Sequence, residues 1–109
     1  MATYLIVPND SCELSDELRK RIDNLFTKEE DKFYFAKNNA CFVQYDGITE
    51  VLRDKLRLQG TSTEKSISTT IFYISPGRFN GYGPSNMWEW LAVKANKEWY
   101  MSDHIPPVS

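Results

Sequence analysis

Asp10 stands three residues beyond the apolar run TYLIV (3–7), with Pro8 and Asn9 between them. A carboxylate at the end of a strand can bind Mg²⁺. A second copy facing it across a dimer axis would complete a site for phosphodiester cleavage. The same aspartate fits the N-cap of a following helix, with Glu13 in the capping-box position, and capping is the commoner use of such a residue. Ser15 is a second candidate cap.

Few other residues offer chemistry. The only histidine, His104, lies in the tail KEWYMSDHIPPVS, which ends in prolines. A general base needs fixed geometry, so His104 is not read as catalytic. With one histidine, a Ser-His-Asp or Cys-His site could be built only around that residue. Cys12 lies near a helix start, which can lower a thiol pKa, but a bystander role is the stronger reading. Cys41 sits in an apolar run and reads as a small buried hydrophobe. No Cys/His spacing suggests zinc.

Arg19, Lys20 and Arg21 form the densest basic cluster, and Arg53, Lys55 and Arg57 form another. Both could touch phosphate or nucleic acid, with Arg19 and Lys20 the leading candidates. Acids alternate with them, so an ordinary solvated helix face is the plainer reading. The stretch GRFNGYGPSNMWEWL (77–91) spaces its glycines at 77, 81 and 83. That matches neither a phosphate-binding loop nor the dinucleotide fingerprint. Arg78 within it could hold an anion together with the N-terminus of the next helix. Tyr34, Phe42, Tyr45, Phe72 and Tyr73 could stack bases on an open sheet, but the RNA-recognition signature is absent. Core or dimer packing is the stronger reading for them.

These groups must be positioned by a frame, and its pattern is legible. TYLIV is apolar throughout, as expected of a central strand covered on both faces. Leu14, Leu18, Ile22, Leu25 and Phe26 recur at helical spacing, with Arg19, Lys20 and Asp23 on the wet side. TKEEDK reads as a charged loop. Residues 33–36 and 41–45 read as a hairpin closed by KNN. Ile48, Val51, Leu52 and Leu56 share one face of a second helix, with Thr49 as its cap and Gly60 as its stop. Residues 61–69, TSTEKSIST, read as a mobile connector. TTIFYIS is the fourth strand. A third helix begins near Ser85, where Trp88, Leu91, Ala92 and Ala95 keep the period. The expectation is one α+β domain over 1–109. It has a ferredoxin-like βαββαβ core at 1–75 with a four-stranded antiparallel sheet, a Gly-rich loop at 76–84, an extra C-terminal helix at 85–97 and a tail at 98–109. Each helix would pack on one face of the sheet, leaving the other for a partner.

MATYLIVPND and TTIFYISPGRFNGYGPSNMWEWL resemble small proteins of the SinR-like group. That group belongs to the superfamily of the CRISPR-associated integration-complex small subunit, which also includes virulence-associated protein D. The resemblance spans nearly the whole chain through element order. It implies a ferredoxin-like fold, a homodimer and Mg²⁺-dependent nuclease activity. It also implies a metal-binding aspartate at the end of the first strand. Laid on Tyr4-Leu5-Ile6, that position falls on Asn9, and Asp10 follows one residue late. Neutral Asn9 is a poor substitute for a carboxylate on Mg²⁺.

The 109 residues suffice for one core without staples. The net charge of -2 gives no global attraction to nucleic acid, so any basic patch would be local. Two cysteines are too few for a secreted disulfide scaffold, so the cytoplasm is expected. The start lacks a basic signal-peptide pattern, and no stretch approaches the roughly 20 apolar residues of a membrane span. The expectation is a homodimeric binding protein with at most vestigial Mg²⁺-dependent nuclease activity. Its partner would be nucleic acid or protein. The alternative is a non-enzymatic phage or mobile-element factor that inhibits or regulates a host protein.

Overall fold

The computed structural model describes residues 2–75 together with Met87, Trp90 and Leu91. Residues 2–75 form an α+β arrangement of four antiparallel strands and two α-helices. The strands are β1 (Ala2–Pro8), β2 (Lys32–Tyr34), β3 (Cys41–Tyr45) and β4 (Thr69–Ile74). The helices are α1 (Asp16–Leu25), after β1, and α2 (Thr49–Lys55), between β3 and β4. Sheet order is β2-β3-β1-β4, with every neighbouring pair antiparallel. The uncharged, largely apolar β1 therefore lies in the middle, where its sequence placed it. No helix among the described residues is long and apolar enough to cross a membrane.

Strand alternation divides the sheet into two faces. Tyr4, Ile6, Cys41 and Val43 join Leu14, Leu18, Ile22, Phe26, Leu52, Leu56 and Leu58 in one buried cluster beneath the helices. On the far face, Leu5 stands between Phe42 and Phe72. Part of that face is covered from within the chain. Trp90 stacks on Phe42 with ring centroids 5.9 Å apart and an 18° interplanar angle, and Phe33 lies 6.3 Å from the same indole. Its Nε1 donates to Glu30 O, and Leu91 beside it is buried. The expectation of a wholly free far face is corrected at its β2–β3 side. The periodicity reading missed Trp90, although Met87, Trp90 and Leu91 have the i, i+3, i+4 spacing of a helix face.

α1 starts later than the Asp10–Glu13 capping pattern implied. Ser15 is the cap, accepting from Leu18 N at 3.1 Å. Leu14 is buried and donates its N–H to Asn38 O at 2.7 Å, on the turn of the β2–β3 hairpin. Residues 9–13 must cross the end of the sheet to reach that anchor, so helix begins only afterwards. α2, by contrast, has no side-chain cap: its N-cap residue is Ile48, and Thr49, the expected cap, lies inside the helix. Arg57 (φ 56°) and Gly60 (φ 83°) then turn the chain back. A Cβ at Gly60 would sit 2.8 Å from Ser66 N, so glycine fits here for lack of a side chain as well as for its backbone freedom.

The segment expected to be a mobile connector is tied down. Arg21 is the anchor, with its side chain 2% exposed. Its Nη1 donates to Arg57 O at 2.8 Å and to Leu56 O at 3.5 Å. Nη2 donates to Lys65 O at 3.1 Å, and Nε to Glu17 Oε1 at 3.2 Å. Glu64 pairs with Arg57 at 2.6 Å, and Ile67 N donates to Leu58 O at 2.8 Å. Arg21 thus belongs to the buried stripe of α1 rather than to a solvated basic face. The guanidinium fork is suited to this work because it satisfies several carbonyls at once.

The two outer strands differ. β2 has three residues, begins at Lys32 and follows a 3₁₀ turn of Glu29, Glu30 and Asp31. β4 has six residues, TTIFYI, with no charge among them. Phe72 is 51% exposed and Tyr73 50%, the Tyr73 ring lying 5.8 Å from that of Tyr4. Between α2 and β4 runs a shallow groove of about 150 Å³ lined by Thr49, Glu50, Arg53, Leu58, Thr69 and Ile71.

Candidate functional site

The end of β1 is built as a clasp. Asn9 N donates to Ser68 O at 3.1 Å, and Asn9 Nδ2 donates to Ser68 Oγ at 3.3 Å. The hydroxyl of Thr70 donates to Asn9 Oδ1. An asparagine amide offers donors and acceptors together, and here both ends are used to join the exit of β1 to the entry of β4. A carboxylate at this position would accept from Thr70 but could not donate to Ser68.

Asp10 follows, exposed in the bend after the strand. It neither caps α1 nor takes part in an ion pair among the described residues. Cys12 is exposed in the same bend. Among the described residues, no group of three His, Cys, Asp or Glu side chains stands where it could hold a metal ion. The donor set within one described chain therefore does not fit a Mg²⁺ site, and any metal at Asp10 would take its remaining ligands from water or from a second copy.

The basic candidates are placed as follows. Arg19 and Lys20 lie next to each other on α1. The Arg19 guanidinium sits 5.3 Å from the centroid of the Tyr34 ring, a cation–π distance, and its Nε is buried without a hydrogen-bond partner. Lys20 is exposed. Arg78 and His104 lie outside the described residues. Asp10 and the Arg19–Lys20 pair sit on different elements, and no hydrogen bond or ion pair among the described residues joins them.

One charged network was not legible beforehand. Tyr34 donates to Asp23 Oδ1 at 2.7 Å, and Lys32 Nζ donates to the same oxygen at 2.9 Å and to Phe26 O at 2.8 Å. Burial alone would raise the Asp23 pKa. The Tyr34 and Lys32 hydrogen bonds outweigh it and hold the carboxyl below its ordinary value. Burial first, and then the bond to Asp23, push the Tyr34 phenol well up, so it stays a donor. Burial pushes the Cys41 thiol up to about 12. The network fastens α1 to β2, and burial keeps the Tyr34 phenol and the Cys41 thiol in their protonated forms.

The sequence matches no protein-family model and no curated protein.

Proposed function

We propose that this chain is a cytoplasmic, homodimeric binding protein on a ferredoxin-like split βαβ frame, with at most vestigial Mg²⁺-dependent nuclease chemistry at Asp10. The frame is supported by the element order βαββαβ and by β1 lying antiparallel between β3 and β4. The resemblance to the CRISPR-associated integration-complex small subunit supplies the homodimer and the nuclease position.

One observation carries the binding rather than catalytic reading. Asn9 occupies the position where the resemblance expects the metal-binding aspartate, and its amide is committed to Ser68 and Thr70. A neutral amide held in a structural clasp contributes no charge to a divalent cation. The neighbouring Asp10 is the carboxylate next to that position in the sequence.

Labelled RNA and DNA incubated with Mg²⁺ and wild-type protein, Asp10→Ala or Asn9→Asp test this. The expected result is the same background cleavage for all three. Mg²⁺-dependent cleavage by the wild type that disappears in Asp10→Ala would establish catalysis and overturn the binding reading.

A further inference from the structure

We infer that β4 is the contact through which two copies of this chain join, edge to edge and antiparallel. The inference rests on the homodimer reading above and specifies its geometry. Among the described residues, two strands bound the sheet, and they are built in opposite ways. β2 is short, opens with Lys32 and is preceded by three acids. Short length and charge are the devices that keep an edge from pairing with another chain. β4 is twice as long, carries no charge and no proline, and leaves the Phe72 ring half in water. A neutral strand rich in β-branched and aromatic residues is a pairing template.

The occupant that fits is a second copy. In a two-fold contact the same patch meets itself, so it must be its own complement. An uncharged strand meets that condition, because no like charges fall opposite one another. The groove beside it meets the condition too. Glu50 and Arg53 stand one helical turn apart on α2 and line the same groove. A two-fold turns the direction of α2, so the acid of one copy is directed toward the base of the other. The groove's apolar floor, Leu58 and Ile71, would then receive helix-side residues of the incoming strand.

The pleat restricts the register. Helix-covered faces must remain continuous across the junction, and opposed residues must lie on the same face. Phe72 therefore meets Thr70, Phe72 or Ile74 of the second copy, and never its Ile71 or Tyr73. The blunted β2 edge has a further consequence: addition stops at two chains instead of continuing into a fibre.

Light scattering on the full chain after size exclusion tests the inference. Wild type should be a dimer. Phe72→Lys and Phe72→Glu should each be monomeric alone, and an equimolar mixture of the two should recover a dimer. Thr27→Lys, which adds the same charge beyond the end of α1, should stay dimeric. A monomeric wild type overturns the homodimer reading and this inference together. A dimer that survives both Phe72 substitutions, or a mixture that stays monomeric, overturns the β4 contact alone.

Discussion

Thr70 gives its hydroxyl hydrogen to Asn9 Oδ1, across 61 residues of chain, and so links the exit of β1 to the entry of β4. These two strands already pair over six positions, from Thr3 with Ile74 to Pro8 with Thr69. The side-chain bond extends that pairing by one rung beyond the last strand residue of β1. Asn9 →Ala removes both side-chain bonds at an exposed site and should cost about 1 kcal/mol in urea unfolding. Asn9→Asp keeps the bond from Thr70 and should cost less than Asn9→Ala. The order of the two urea midpoints checks the assignment.

Arg21 should be the most sensitive polar residue in the described structure. Replacing it with Met keeps much of the apolar stem but leaves Leu56, Arg57 and Lys65 carbonyls without their donor. The expected loss is about 3 kcal/mol, measured by urea unfolding. Arg21→Lys keeps the charge but cannot reproduce the fork, so it should recover only part of that loss.

Stability should fall in acid through Asp23 and Glu64. For Asp23, burial opposes the shift while the Tyr34 and Lys32 bonds override it; for Glu64, the hydrogen bond from Arg57 dominates. Both folded-state pKa values lie below the ordinary 3.8 and 4.5. Each group thus stabilises the fold fully above its unfolded value, and that contribution is lost as pH falls through the folded one. Urea midpoints should be flat near neutrality and drop below about pH 4. Asp23→Asn should show a shallower drop.

The two thiols should separate cleanly. Cys12 is exposed, while Cys41 is buried and shifted up to about 12. A disulfide reagent at pH 8 should modify one thiol of the folded chain and both in denaturant. Modification of two thiols without denaturant would contradict the burial of Cys41.

Strands and hairpin were legible because β-branched and aromatic runs broken by Pro, Asn and Gly carry their own signal. TYLIV even announced its central place by lacking charged residues on either face. The start of α1 was not legible. Asp10 and Glu13 satisfy the capping pattern locally, but the anchoring of Leu14 to Asn38 is a tertiary demand that delays the helix. Arg21 was misread through its charge. Its spacing of seven from Leu14 and three from Leu18 places it on the apolar stripe, and that was the available signal. Of the candidate site, the Asn9 position came from laying the resemblance on Tyr4-Leu5-Ile6. Its partners Ser68 and Thr70 lie far along the chain and could not be found by local pattern.

The Arg21 clasp also bears on the order of folding. Its acceptors come from the end of α2 and from the loop before β4, more than 30 residues from the helix that supplies the donor. All three segments must already be in place before the fork can close. A hydrogen bond that needs three assembled segments is expected to close late, after the barrier, and a φ-value near zero for Arg21→Met would check it. Its loss would leave the rate of folding nearly unchanged and quicken unfolding instead. A single arginine would then govern how long the native chain persists more than how fast it forms.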